Sequence, residues 1–296
     1  MRLSLMIIAF IGSVELFAQQ EWVYSMQALN LYDGNAAAAG MYERTSINLR
    51  YRSQFTSWEG APQSMMLSVN GGGQRLGLGL RVMNEEIGVF RRTAAVGHAS
   101  YKLPTSKGEL RFGLGGGVLI QATNDITLGS ADIAEDPTIA GLGNTTSPII
   151  QAAVMFRNRR FFVGVEGNHL LPDDELNAPG TAREVLAMAG TQHKLNQHWS
   201  LRPMLAARWS EPEALLPEAQ LGVWYDQTLW LGAGHRLGAD TYGFVEYRFR
   251  GKVRFGYSFG VSTAGGAGLG PNHELMIGYL TGGKRTRSMQ SIRYFQ

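Results

Sequence analysis

Apolar and polar residues alternate with a period of two along almost the whole chain, and this limits the possible folds more than any other feature. In RLGLGLRVM (75–83), Leu76, Leu78, Leu80 and Val82 share one face of an extended chain, while Arg75, Gly77, Gly79 and Arg81 share the other. ELRFGLGGGVLIQ (109–121) and KVRFGYSFGV (252–261) repeat the pattern, with Arg111 and Arg254 opposite rows of Phe, Leu, Val and Tyr. Rows of about ten residues suit a tilted strand crossing a bilayer. RYRSQFTSWEGAPQS (50–64) states the choice most sharply. A soluble sheet would bury Tyr51 and Phe55 and leave Arg50, Arg52 and Gln54 in water. A membrane barrel turns the apolar row to lipid and the arginines to its lumen.

Composition favours the barrel. Charged residues are 17% of the 296, below the usual globular share of about 25%, and glycine counts 38. No stretch after residue 18 approaches the run of about 20 apolar residues that a spanning helix needs. The first residues, MRLSLMIIAFIGSVELFA, combine a basic start with a short apolar core and read as an export leader cleaved after Ala18. There is no cysteine, which removes lipoprotein anchors, disulfides and thiolate metal sites.

Breaks at turn residues predict strands near 43–53, 63–69, 75–83, 90–103, 109–121, 148–156, 161–168, 183–193, 199–209, 217–225, 228–236, 241–249, 253–261 and 273–280. The expected fold is all-β, an antiparallel transmembrane β-barrel of about 14 strands with short periplasmic turns and longer extracellular loops. The domain plan is a leader at 1–18, a periplasmic or lumenal lead at 19–42, the barrel at 43–280 and a basic periplasmic tail at 281–296. Charge agrees with this orientation. The expected outer loops hold thirteen acids and no Lys or Arg: Glu59, Glu85, Glu86, Asp125, Asp132, Glu135, Asp136, Asp173, Asp174, Glu175, Glu211, Glu213 and Asp240. The turns and tail hold Lys107, Arg157, Arg159, Arg160, Lys194, Arg250, Lys252, Lys284, Arg285, Arg287 and Arg293 against one acid, Asp226.

Catalytic patterns are poor. His98 and Ser100 stand two apart, as in His-x-Ser lipid hydrolases, but they share a face with Lys102 and so point into the lumen, away from lipid. The acids at 125–136 lack calcium-loop spacing. His193 and His198 flank a turn at no useful ligand spacing. Gly71–Gly73 and Gly115–Gly117 read as a turn and a close-packed wall, since neither opens a helix or carries a phosphate-loop ending. Arg50, Arg52, Arg81, Arg111, Glu166, Glu246, Arg248 and Arg254 should form an interior charge network, because an unpaired charge in a narrow lumen is costly. No enzyme activity, cofactor or metal site is expected.

Several short elements, in order across residues 24–280, resemble the PorP/SprF family, outer-membrane proteins of the type IX secretion system in Bacteroidota. Asn35, Ala36, Ala37, Ala38, Ala39 and Gly40 occupy the family's Asn-Pro-Ala-Tyr-Ala-Gly element, with the proline and tyrosine replaced. Arg52, Gln54, Phe55, Gly60, Ala61 and Pro62 match Arg-x-Gln-Trp followed by Gly-Ala-Pro, with Phe for Trp. Leu201 and Pro203, the glycine-arginine pattern from Leu231 to Arg236, and Tyr257, Ser258, His273 and Glu274 complete the likeness.

The resemblance implies a non-enzymatic outer-membrane barrel that helps export and anchor a partner secreted surface protein or adhesin with a C-terminal sorting domain. The alternatives are a structural link between secretion or gliding machinery and the membrane, or a solute-transport barrel. Implied partners are that secreted protein, type IX components and outer-membrane lipid; no nucleic acid is expected. Partner-binding residues are expected in the lumen and at the outer mouth: Arg50, Arg52, Gln54, Trp58, Gly60, Pro62, Arg81, Arg111, His273 and Glu274. A basic periplasmic end is expected from Arg157, Arg159, Arg160, Arg250, Lys252, Lys284, Arg285 and Arg287.

Overall fold

The structure is a computed structural model that describes residues 24–123, 144–171, 183–210, 214–263 and 270–281. The leader, the acidic segment 125–136, and Lys284, Arg285, Arg287 and Arg293 lie outside the described residues.

The alternating rows form strands that each pair antiparallel with their neighbours in chain order. They are β1 (Ser46–Ser53), β2 (Gln63–Gly72), β3 (Leu76–Ile87), β4 (Phe90–Thr105), β5 (Gly108–Thr123), β6 (Thr145–Arg157) and β7 (Phe161–Asn168). Next come β8 (Glu184–Thr191), β9 (Trp199–Ser210), β10 (Ala214–Tyr225), β11 (Leu229–Arg236), β12 (Asp240–Phe249), β13 (Val253–Ser262) and β14 (Asn272–Leu280). β14 returns to pair with β1, Leu280 opposite Ser46 and His273 opposite Ser53, so the sheet closes and has no edge. The result is a fourteen-stranded barrel.

His193–Lys194 continues β8 in the same register against β9. The ladder lapses between them because Thr191 faces Pro203, which has no N–H to give, and Gln192 faces Arg202. Gln192 bonds instead to Arg160 on its other side, N to O 3.0 Å.

The faces follow the inverted rule. On β1, Ile47, Leu49 and Tyr51 are 39–42% exposed, whereas Asn48 and Arg50 are fully buried. Among the described residues no folded core lies outside the barrel to cover that apolar row, which is the surface a bilayer covers. Tight hairpins close one end: Asp226 and Gln227 both take positive φ (46° and 56°), as do Arg250 and Gly251 (49° and 67°). Their twist matches that of the flanking strands.

Two expectations need correction. NEEIGV is not a long loop, because β3 runs on to Ile87 and meets Phe90 of β4 directly. Glu85 is therefore a buried, inward strand residue and Glu86 a strand residue paired with Arg91. Asp240 likewise opens β12 and is buried in the lumen. Of the thirteen acids assigned to outer loops, Glu59 alone sits in a loop among the described residues. Period-two alternation outlasts the apolar pattern here, because strand ends above the lipid need no apolar row.

Residues 24–41 run inside the barrel, and 42–45 link them to β1 at its rim. The chain makes three short 3-10 turns, Gln27–Leu29, Leu31–Asp33 and Ala36–Ala38. The last is capped by Asn35, whose Oδ1 accepts from Ala37 N at 3.0 Å. Tyr24, Met26, Leu29, Leu31, Tyr32, Ala36–Ala39 and Met41 are all buried. They pack in three clusters against inward side chains, including Met66, Met83 and Ile149; Met155, Phe162, Met188 and Met204; and Trp224, Trp230, Phe244 and Met276. Methionine suits this task because its flexible thioether fills the irregular gaps beside a chain without regular structure.

Candidate functional site in the barrel lumen

The inward rows and the threaded segment together make the site. The segment enters at the turn end, where Thr45 precedes β1, and reaches the loop-end half, where Ser25 N donates to Glu274 Oε2 at 2.6 Å. The wall holds it chiefly by its main chain. Carbonyls of Met26, Leu29 and Asp33 accept from Arg50 (3.0 Å), Arg254 (2.7 Å) and Arg81 (3.0 Å). Arg111 spans Ala37 O (2.8 Å) and Ala39 O (2.7 Å), and Ser100 Oγ adds a second bond to Ala39 O at 2.7 Å. Arg157 Nη2 reaches Met41 O at 3.2 Å. Acceptors on the wall take the segment's N–H groups: Glu166 that of Ala36, and Asn70 Oδ1 that of Gly40 at 3.2 Å. Charge-assisted bonds of this kind are the stronger class.

Glycines make the room. A Cβ on Gly77 would lie 2.0 Å from Ala39 O, and one on Gly113 would lie 2.3 Å from Ala37 N. The reciprocal position is Gly40, at φ +62° with Gly71 O, Gly72 Cα and Gly77 Cα within 3 Å of where its Cβ would stand. Only glycine satisfies both the left-handed backbone and that contact.

The lumen charges pair as expected, with the segment taking part. Arg50 lies between Asp33 of the segment (2.8 Å) and Glu274 (3.5 Å). Arg52 meets Asp240 (3.2 Å), which also holds Arg236 (2.8 Å), and Arg236 meets Glu218 (3.1 Å). Arg81 pairs with Glu166 at 2.9 Å, and Arg208 with Glu184. Towards the turn end, Glu246 serves both Arg254 (2.8 Å) and Arg248 (3.3 Å), and Glu109 serves both Arg157 (2.6 Å) and Arg111 (3.6 Å). Arg202 lies over the ring of Trp224, 3.9 Å from its centre.

His98 and Ser100 both serve the segment. Ser100 gives its proton to Ala39 O, while His98 Nδ1 lies 2.7 Å from Tyr32 Oη and Nε2 lies 2.7 Å from Gln151 Oε1. Arg81 Nη2 lies 2.9 Å from the same Nε2 and 3.0 Å from Gln151 Oε1, so the imidazole, the amide and the guanidinium form one buried polar cluster beside Tyr32. The space left beside Asp33, Arg50, Arg81, Glu166 and Arg208 amounts to about 40 Å³, room for a few waters.

The remaining predicted residues divide between the rims and the outer wall. Gln54–Pro62 form a loop closed on itself by Gln54 N to Pro62 O at 2.9 Å and clamped to its neighbours by Gly88 N to Gly60 O at 2.8 Å and Thr56 N to Pro271 O at 3.3 Å. Trp58 at its tip is 62% exposed. Glu274 faces the lumen, whereas His273, one residue earlier, faces outward and bonds Tyr257 Oη at 2.9 Å. At the other end Arg159, Arg160, Arg250 and Lys252 are exposed on turns. Arg157 is not part of that rim, because alternation along β6 turns it inward to Glu109 and Met41.

The alanine run and the inward glycines of β3 and β5 were visible in the sequence, but nothing showed that one fills the space left by the other. Trp224, Trp230 and Arg202 gave no functional signal, since an inward aromatic reads as ordinary filling.

The chain matches the family described as "Type IX secretion system membrane protein PorP/SprF" over residues 16–279. No curated protein matches it. Among solved structures, the outer membrane protein Omp33 of Acinetobacter baumannii superposes with a TM-score of 0.52 at 9% identity, covering 81% of this chain and 98% of that one. The toluene transporter TodX of Pseudomonas putida gives 0.48 at 11% identity, covering 88% and 94%. At 9% identity the likeness to Omp33 is one of fold, that of an outer-membrane barrel.

Proposed function

Because the chain belongs to the PorP/SprF family of type IX secretion system membrane proteins, we propose that it is a non-enzymatic outer-membrane barrel that helps export a secreted surface protein, an adhesin for example, and anchor it at the cell surface. The observation that carries this reading is the lumen wall, which grips a threaded polypeptide by its main chain through Arg50, Arg81, Arg111 and Arg254. In this reading the partner's C-terminal sorting domain docks at the loop end on the clamped Gln54–Pro62 loop. Trp58 is the anchor there, since exposed aromatics dominate interface energetics. The leader is removed after Ala18, and N-terminal sequencing of the membrane-inserted protein should begin at Gln19.

Solute transport fits less well, because residues 24–41 occupy the lumen. A link to periplasmic or gliding machinery is the second reading, and the exposed basic turns at Arg159, Arg160, Arg250 and Lys252 favour it. Extraction of the tagged protein from its native outer membrane in mild detergent, followed by mass spectrometry, separates the two. A large secreted protein in near-equal amount, lost with Trp58→Ala, supports anchoring. Periplasmic components retained in that variant and lost on Arg159→Glu/Arg160→Glu would move the role to the machinery. A solitary barrel would sink both.

A further inference from the structure

We propose that the lumen wall is a polypeptide-binding site in its own right, with residues 24–41 as its resident occupant, so that a segment of the same chemistry supplied from outside exchanges with it.

Three observations lead there. First, most of the polar contacts holding the segment go to its carbonyl and N–H groups rather than its side chains, so the recognition applies to polypeptide in general. Second, the segment has no autonomous fold: its turns are of three residues each, and its shape is imposed by the wall. Third, it is tied covalently through one short link, where Glu43 is exposed at φ +53° and Arg44 precedes Thr45, and the chain has no cysteine to add a second tie.

The geometry also sets the class of occupant. Arg50 pairs with Asp33 at 2.8 Å, closer than the 3.5 Å to Glu274 on the wall, and so favours one acid at that place in the occupant. Ala37 and Ala39 are wholly buried in a packed cluster, with their main chains against Gly77 and Gly113, so neither position has room for a larger side chain. The backbone turn against Gly71 and Gly72 demands glycine. The site therefore takes an acid followed closely by a run of small residues ending in glycine. Met26 and Leu29, earlier in the segment, pack among Trp224, Trp230, Tyr242, Phe244 and Met276, and are replaceable in kind by exchanges that keep their volume.

The inference rests on the lumen alone and is tested on purified protein, where no secreted partner is present, so it can fail or hold independently of the anchoring role. A specific protease site is inserted between Tyr42 and Thr45 of the full chain, which is purified in detergent and cut. A fluorescent synthetic copy of residues 24–42 is then added. Incorporation into the barrel is followed by gel filtration, and the folded state by heat-dependent migration on gels. The peptide should enter the cut protein and not the uncut one. Arg111→Ala, which removes two bonds to carbonyls, should speed exchange about ten-fold or more. A peptide with Met26→Leu and Leu29→Met should enter as well as the parent, and one with Ala37→Leu and Ala39→Leu should not. Three outcomes would each overturn the proposal: no exchange over days in a barrel that stays folded, loss of the folded band once the native segment leaves, or equal entry of the leucine-bearing peptide.

Discussion

The two halves of the lumen solve the same problem differently. Towards the loop end the carboxylates match or outnumber the arginines: Arg50 has Asp33 and Glu274, Arg81 has Glu166, and Arg52 and Arg236 have Asp240 and Glu218 between them. Towards the turn end Glu246 and Glu109 are each shared by two arginines. Leu29 O, Ala37 O, Ala39 O and Met41 O make up the difference there. The loop-end half is close to self-sufficient in charge. The turn-end half needs the threaded segment as a solvent of fixed dipoles, much as buried ions in general need hydrogen-bonding groups beyond their partner.

Substitutions can break this comparison. The largest effect should come from Glu246→Gln, which strips two buried arginines of their carboxylate. It should cost about 3–5 kcal/mol, read as a lower unfolding midpoint in denaturant. Asp240→Asn takes the carboxylate from Arg52 but leaves Arg236 with Glu218. It strips one buried arginine where Glu246→Gln strips two, and it should cost less; equal losses would end the distinction between the halves. Arg111→Ala should follow at about 2–3 kcal/mol, with the segment becoming cleavable by added protease while the barrel stays folded. Gly40→Ala should cost about 1–3 kcal/mol through its backbone conformation and the contact with Gly71 and Gly72, again read as protease sensitivity at the turn end. Asp33→Asn should be milder, about 1–2 kcal/mol, because Arg50 keeps Glu274 and Met26 O. Smallest of all, Arg159→Gln with Lys252→Gln should move the midpoint by less than about 0.5 kcal/mol, both side chains being in water.

The barrel was legible because its rule is local. Arg50, Arg52 and Arg81 alternate with lipid-facing Tyr51, Leu80 and Val82, and the turn residues between rows set the strand count. The rims were less so. Glu85 and Asp240 look like loop acids in a linear reading, yet strands continue past the apolar pattern and turn both inward. The threaded segment was the least legible part. Residues 24–41 have no period of their own, and their conformation is written in distant positions, Gly77, Arg111, Glu166 and Glu274, which meet only after the sheet closes. Arg157 shows the same limit, a basic residue beside a turn whose place is decided by the parity of β6.

The seam has a consequence for quality control. Glu274 belongs to the last strand, while Ser25, Met26 and Arg50 belong to the first part of the chain, 249 positions away for Ser25. Bonds between the two exist only in a molecule made to its last strand. A chain that stops before residue 272 leaves β1 unpaired on one side and its leading segment without Glu274, an open edge and unmet N–H groups together. Completeness of synthesis is thus recorded at one buried carboxylate, and an incomplete copy carries its defect on the surface that a chaperone or protease can find.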